Sequence, residues 1–263
     1  MTSITTHKLY KGKILIDYHE GDKFHWFTKH GEKERIDGVT SITGLLDKST
    51  PLVIWATRLA KEHMLQYLEN SAGKTFTLEE LSPVIEEAVN KHRAAKEEAA
   101  DIGTMVHDYA EAFGKAKLFG QELPPIKEDW DERVLNGVMA FLDWHNSENV
   151  KFVAAERIVY SKKHNYAGKM DALLEIDGRP VIGDYKTGKG LYNDHYYQLA
   201  GYWNAIEEED EKKYPKGVIL HFDKLTGAFK PYFIDRPDHE KNLAAFLGFR
   251  AAKIREKELA KHY

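Results

Sequence analysis

The chain has 263 residues and no cysteine. That absence excludes a disulfide scaffold, zinc fingers held by thiolates, an iron–sulfur cluster and any thiol nucleophile. Long apolar runs are missing too. The longest, such as Pro51–Ala56 and Gly217–Leu220, fall far short of the roughly 18 residues needed to span a bilayer. The first residues, MTSITTHKLYKGK, show neither an apolar leader nor an Arg-rich amphipathic pattern, so a cytoplasmic protein with no targeting signal is expected. An excess of positive charge is also lacking. Lys and Arg total 38 against 42 Asp and Glu, a net of -4, which does not by itself announce a nucleic-acid partner.

What is present is the composition of a folded protein. The 42% hydrophobic fraction excludes a disordered chain, and the length suits one large domain or two small ones. Residues 1–40 alternate apolar and polar positions around Glu20-Gly21-Asp22, the pattern of a hairpin or small meander. From Ser41 the periodicity turns helical. Thr50-Pro51 starts one helix, which runs to about Glu69, and Ser82-Pro83 starts a second, strongly charged one. Residues 101–117 continue as helix, with Gly103 near a beginning or a break.

After Pro124-Pro125 the order is α-β-β-β-α-β, with a further strand and a long helix from Asp238 to Lys261. This predicts a mixed α+β fold built on a mixed sheet with helices packed on it. The boundaries expected are an N-terminal meander (1–40), a helical region (41–123), a core (124–235) and a basic C-terminal helix (236–263), all in one compact body. Glu207–Lys213, EEEDEKK, reads as a solvated helix end.

Chemistry concentrates in the core. Asp184 and Lys186 are two apart on a predicted strand and share a face. Alone, such a pair is an ordinary salt bridge, and about one is expected by chance in a chain this long. The Asp177-Gly178 turn, however, pairs this strand with the one carrying Asp171, so the two aspartates can converge. Convergent carboxylates repel unless a cation lies between them or one is protonated. Oxygen-rich sites of this kind suit Mg²⁺ or Mn²⁺. Glu156, one strand earlier, offers another carboxylate, though alone it would be an ordinary surface residue. Gln198 and Tyr202 share one helix face, a pattern that an amphipathic packing helix explains equally well. His107 lies one turn beyond Gly103, on the face of Glu111; a lone histidine there is usually structural.

Taken together, Gly103-Thr104-x-x-His107, Glu156, Gly168-x-x-Asp171, Asp184-x-Lys186 and Gln198-x-x-x-Tyr202 resemble the PD-(D/E)XK nuclease superfamily, and more narrowly its RecB-like exonuclease branch. Gly38-Val39-Thr40-Ser41-Ile42-Thr43, Lys48-Ser49 and the Trp55 helix extend the likeness toward the mitochondrial genome maintenance exonuclease and related phage and bacterial exonucleases. The resemblance covers about residues 38–223. It implies a DNA exonuclease of recombination, repair or replication that uses one or two Mg²⁺ or Mn²⁺ ions. Asp171 and Asp184 would hold the metal, with Glu156, His107 and the Tyr185 carbonyl as further ligands. Lys186 would orient or activate the attacking water, and Gln198, Tyr202 and Thr104 would position the strand. The missing cysteine sets the chain apart from relatives that carry an iron–sulfur cluster.

A helical cap over the site would let a single-stranded end thread beneath it, with aromatic faces for stacking. The expected substrate is DNA, single-stranded or a duplex end, with a single-strand-binding or annealing protein as a plausible partner and no membrane. A restriction-type endonuclease on the same core, and a non-catalytic nucleic-acid-binding module, are the alternatives. The intact Asp171, Asp184 and Lys186 weigh against the last. The charge total also averages unlike regions: residues 241–263 carry six Lys or Arg against two Glu. A basic surface can therefore be local, and its strand contacts would be salt-sensitive.

Overall fold

The computed structural model describes residues 3–21, 24–223 and 226–261 of the chain. Asp22, in the expected N-terminal turn, and the last two residues of the basic terminus lie outside the described residues. The chain divides into two compact units, one of residues 1–46 and 105–263, the other of residues 47–104.

The larger unit is built on a nine-stranded mixed sheet. Four strands form the N-terminal meander: β1 (Ser3–Leu9), β2 (Ile14–Glu20), β3 (His25–Lys29) and β4 (Arg35–Gly38). A short helix, α1 (Val39–Thr43), follows at once. The core continues through α4 (Glu132–Ser147), β5 (Val150–Ser161), β6 (Tyr166–Ile176), β7 (Arg179–Gly188), α5 (Asn193–Asp210), β8 (Lys216–Asp223), β9 (Phe229–Asp235) and α6 (Arg236–Ala260). The expected α-β-β-β-α-β order and the mixed sheet are both present. Asp177 and Gly178 have φ of 50° and 74°, as a two-residue hairpin turn between β6 and β7 requires.

β6 is the hinge of the sheet. β5 covers one of its edges from Ser161↔Tyr166 to Val150↔Ile176. Its other edge is shared. β4 takes Tyr166 and Ala167 in parallel, and β7 takes Ala172–Ile176 in antiparallel. Residues 168–171 between those pairings have no strand on that edge.

Helices cover both sheet faces, so β6 and β7 are buried almost throughout rather than in alternation. On one side Leu173 and Ile182 pack with Leu199, Tyr202, Trp203 and Ile206 of α5 and Phe246 of α6. On the other, Phe141 and Trp144 of α4 meet Tyr185, Phe222 and Phe229 at ring separations of 5.4–6.4 Å. Two glycines permit the α5 packing. A Cβ on Gly168 would fall on the Tyr202 ring, and one on Gly201 would lie 2.8 Å from Phe246.

In the smaller unit, α2 (Ser49–Asn70) is followed by α3 (Leu78–Phe119), a single 42-residue helix whose residues 105–119 belong to the larger unit. The start expected at Ser82-Pro83 is corrected to Leu78. Thr77 and Glu80 form the reciprocal cap there, with Thr77 N–H donating to Glu80 Oε2 at 2.9 Å and Glu80 N–H to Thr77 Oγ1 at 3.2 Å. Gly103 does not break the helix.

The acidic run at the end of α5 is likewise not a solvated end. Glu207 is buried, accepts 2.9 and 2.8 Å hydrogen bonds from Trp203 Nε1 and the Tyr214 N–H, and pairs with Lys213 and Arg236. Glu208 accepts from Ser161 Oγ and the Lys163 N–H, and Arg157 bridges Glu209 and Asp210. Five acids at a helix C-terminus oppose its dipole, and partners from β5, β8's approach and α6 offset that cost. The basic terminal helix is partly consumed in the same way: Arg250 and Lys257 both pair with Asp37, at 3.0 and 2.7 Å. Among the described residues, no helix is long and apolar enough to cross a membrane.

Two substitutions test these contacts by thermal melting. Gly168→Ala overpacks against Tyr202 and is expected to cost about 1–3 kcal/mol, a Tm drop of several degrees. Glu207→Ala strands the Trp203 and Tyr214 donors and the Arg236 charge, and is expected to cost about 2–4 kcal/mol.

Candidate active site

Beyond Ala172↔Gly183, β7 stays paired with β8 as far as Gly188 and parts from β6. Asp171 and Asp184 are the next residues on the two diverging strands, one on each side of the fork. The pairing register therefore brings them together although thirteen positions separate them in sequence. The Tyr185 N–H, with no strand partner across the fork, donates instead to Asp171 Oδ2 at 2.7 Å. This bond orients the carboxylate and replaces a lost ladder bond.

His107, on α3, places Nε2 3.7 Å from Asp171 Oδ1. Its ring stands edge-on to that of Tyr185, 5.5 Å between centroids. Burial alone would lower the His107 pKa, but the Asp171 carboxylate and the Glu111 charge raise it above the ordinary histidine value. Asp171 moves the other way. Burial pushes its carboxyl up, and His107, Lys186 and the Tyr185 N–H together bring it below the usual value.

Asp184 is the most exposed to the cost of charge burial. Its side chain is 0% accessible. Lys186 Nζ lies 2.6 Å from Oδ2. Neither carboxylate oxygen accepts a hydrogen bond of ordinary geometry from the described residues. Burial, with Asp171 adding repulsion, pushes its carboxyl up to about 7 despite the Lys186 ammonium. A buried carboxylate this poorly supplied with donors is completed by a cation. Asp171, Asp184 and the His107 imidazole are a suitable donor set for a hard divalent ion. Among the described residues, no three His, Asp or Glu side chains already close around one point. The Tyr185 carbonyl, an expected ligand, accepts the Lys186 ammonium at 3.2 Å.

Glu156, expected as a further metal ligand, is engaged by two lysines. It stands on β5 between Ala155↔Ala172 and Arg157↔Met170, opposite Asp171 in register. Its φ is 51°, the left-handed region, unusual for a residue with a side chain and costing about 1 kcal/mol or more. Its carboxylate pairs with Lys115 of α3 and Lys169 of β6. Burial would raise its pKa; donation from Glu111, Lys115 and Lys169 outweighs that and lowers it to about 2. Glu111 in turn is raised, by burial first and by Glu156 second, and pairs with Lys115 at 2.6 Å.

Gln198 and Tyr202 are hydrogen-bonded to each other, Gln198 Nε2 donating to Tyr202 Oη at 2.9 Å. Tyr202 is 4% exposed and fills the space that Gly168 leaves, while Gln198 is only half-buried. Thr104 is an exposed residue at the end of the 47–104 unit. Sequence reasoning gave no role to Lys115 and Lys169. Both had a signal. Lys169 is two before Asp171 on a strand, and Lys115 is four after Glu111 and eight after His107 on a helix.

Residues 74–260 match the family model of the PD-(D/E)XK nuclease superfamily. The crystal structure of SSO0001 is a partial likeness, 15% identical over 45% of this chain and 59% of that one, with a TM-score of 0.28, and it carries no argument about function. No curated protein matches. The family match takes in the His107 helix, the forked strands and α5, all within one continuous stretch. The chain belongs to the PD-(D/E)XK nuclease superfamily.

Proposed function

We propose that the protein is a divalent-metal-dependent DNA exonuclease of the RecB-like kind, acting in DNA recombination, repair or replication. The observation that carries the reading is Asp184, a buried carboxylate short of donors at a strand fork, facing Asp171 and flanked by Lys186. Nucleases of this superfamily generally use divalent metals such as Mg²⁺. Asp171, Asp184 and His107 would hold the ion, which when bound supplies charge stabilisation at the phosphate and acidifies water.

The chain's own groups account for the rest. Lys186 reaches the fork on the same strand face as Asp184 and places an ammonium beside the oxygens that gain charge as water attacks phosphorus. The water oxygen–phosphorus bond forms, the bond to the leaving sugar oxygen breaks, and the water's proton passes to solvent or to that oxygen. His107 and the Tyr185 N–H hold Asp171 from two directions. Gln198, anchored through Tyr202, presents its amide carbonyl and remaining N–H to the strand. Action from an end, rather than within a strand, is supported by the order of motifs, which is that of the exonuclease branch.

End-labelled linear DNA, single- and double-stranded, digested with Mg²⁺ or Mn²⁺, tests activity and polarity together. Closed circular single strands are expected to resist; cutting them as fast as linear ones would favour the endonuclease alternative. Asp184→Asn and Lys186→Ala are each expected to lower the rate at least about 100-fold. Unchanged activity in both would remove these residues from the site.

The Asp184 carboxyl also sets a pH signature. A carboxyl raised from 3.8 to about 7 on folding favours the neutral form, so its contribution to stability is complete below about pH 4 and is lost as pH rises to about 7. Metal-free wild type should therefore lose stability relative to Asp184→Asn across that interval, by several degrees of Tm, with the difference level above it. Mg²⁺ should raise the wild-type Tm at pH 8 and leave the variant nearly unchanged. At limiting metal the cleavage rate should climb with pH through about 7.

A further inference from the structure

Lys115 and Lys169 come from different elements, one from α3 and one from the stretch of β6 that has no strand on its fork-side edge. Both ammonium groups converge on the single carboxylate of Glu156. That carboxylate is the wrong size of answer to two cations. Glu111 is drawn in against Lys115 as a second acid, and Glu156 accepts the pair from a strained left-handed backbone. Lys169 also shares a strand face with Asp171, two residues on. A two-ammonium site beside the fork has the charge and hydrogen-bonding capacity of a phosphate receptor, and Glu156 occupies it. Glu156 itself stands opposite Asp171 in the β5–β6 register, between Ala155↔Ala172 and Arg157↔Met170.

We infer that Lys115 and Lys169 are a receptor for one phosphate of the nucleic-acid strand, held closed by Glu156 until the strand arrives, and that strand binding frees Glu156 to join Asp171 and Asp184 around the divalent ion. The inference rests on the nuclease reading above. The exchange conserves charge: one phosphodiester anion enters the lysine pair as one carboxylate leaves it. Metal and strand then bind cooperatively, each raising the affinity for the other by the same factor. An ion captured without a strand is held by fewer ligands.

The test is calorimetric titration of the full chain with Mn²⁺, alone and saturated with a short oligothymidine whose phosphorothioate linkages resist hydrolysis. The wild type is expected to bind Mn²⁺ about ten-fold more tightly with the strand present. Lys169→Met should bind Mn²⁺ more tightly than wild type without the strand and gain little when it is added. Adding Glu156→Gln to Lys169→Met should abolish that gain, which simple removal of a nearby positive charge would not predict. Lys169→Arg, which keeps the charge, should retain the coupling and control for folding. Equal Mn²⁺ affinity with and without the strand in the wild type would overturn the inference while leaving the nuclease reading intact. So would a Lys169→Met gain that survives Glu156→Gln. If wild type and Asp184→Asn bind Mn²⁺ equally poorly, the nuclease reading fails and the inference with it.

Discussion

The parting of β6 from β7 governs everything that follows in this molecule. Antiparallel pairing holds the strands together up to Ala172 and Gly183, and β8 then keeps β7 on its own course. Two aspartates sit at the point of separation because the register puts them there. Had pairing continued, ladder bonds would have taken up the backbone groups that the fork leaves open, the Tyr185 N–H among them. The fork instead leaves a backbone N–H, that of Tyr185, to orient one of them, and leaves the other buried without adequate donors. A carboxylate buried in this way costs stability locally, and the surrounding aromatic and aliphatic layers sustain that cost.

Much of this was legible in the chain itself, and the legible parts share a cause. Asp177-Gly178 announces a hairpin by local backbone chemistry, and a hairpin of known register places Asp171 opposite Asp184 with no further information. The helix of Gln198 and Tyr202 shows its face by periodicity. What was not legible depends on partners distant in sequence. EEEDEKK has the composition of a solvated helix end, yet Arg157, Ser161 and Arg236 converge on it from other elements. The start of α3 is hidden because Pro83 is a conspicuous signal and the Thr77–Glu80 pair a quiet one. The strand pattern places Glu156 beside the β6 strand, but not its pairing with Lys115 of α3 and Lys169 of β6.

Charge follows the same logic. A net of -4 conceals dense internal pairing rather than a bland surface. Asp37, Glu156 and Glu207 each gather two basic side chains, so six of the 38 Lys and Arg residues are committed to three acids.

One consequence concerns the order of events during synthesis. The meander joins the rest of the sheet through only two residue pairs, Asp37↔Tyr166 and Gly38↔Ala167. Asp37 is clamped by Arg250 and Lys257, 213 and 220 positions later. The first four strands can pair among themselves as they leave the ribosome and then pack on Ile158, Tyr160 and Ala167 of β5 and β6, but the ion pairs on Asp37 wait for nearly the whole chain. Until α6 emerges, β4 meets β6 without those ion pairs, so the two-pair junction can open and present a strand edge to a chaperone or a second chain. The acid at the end of β4 thus acts as a late latch, closing the first part of the sequence onto the last.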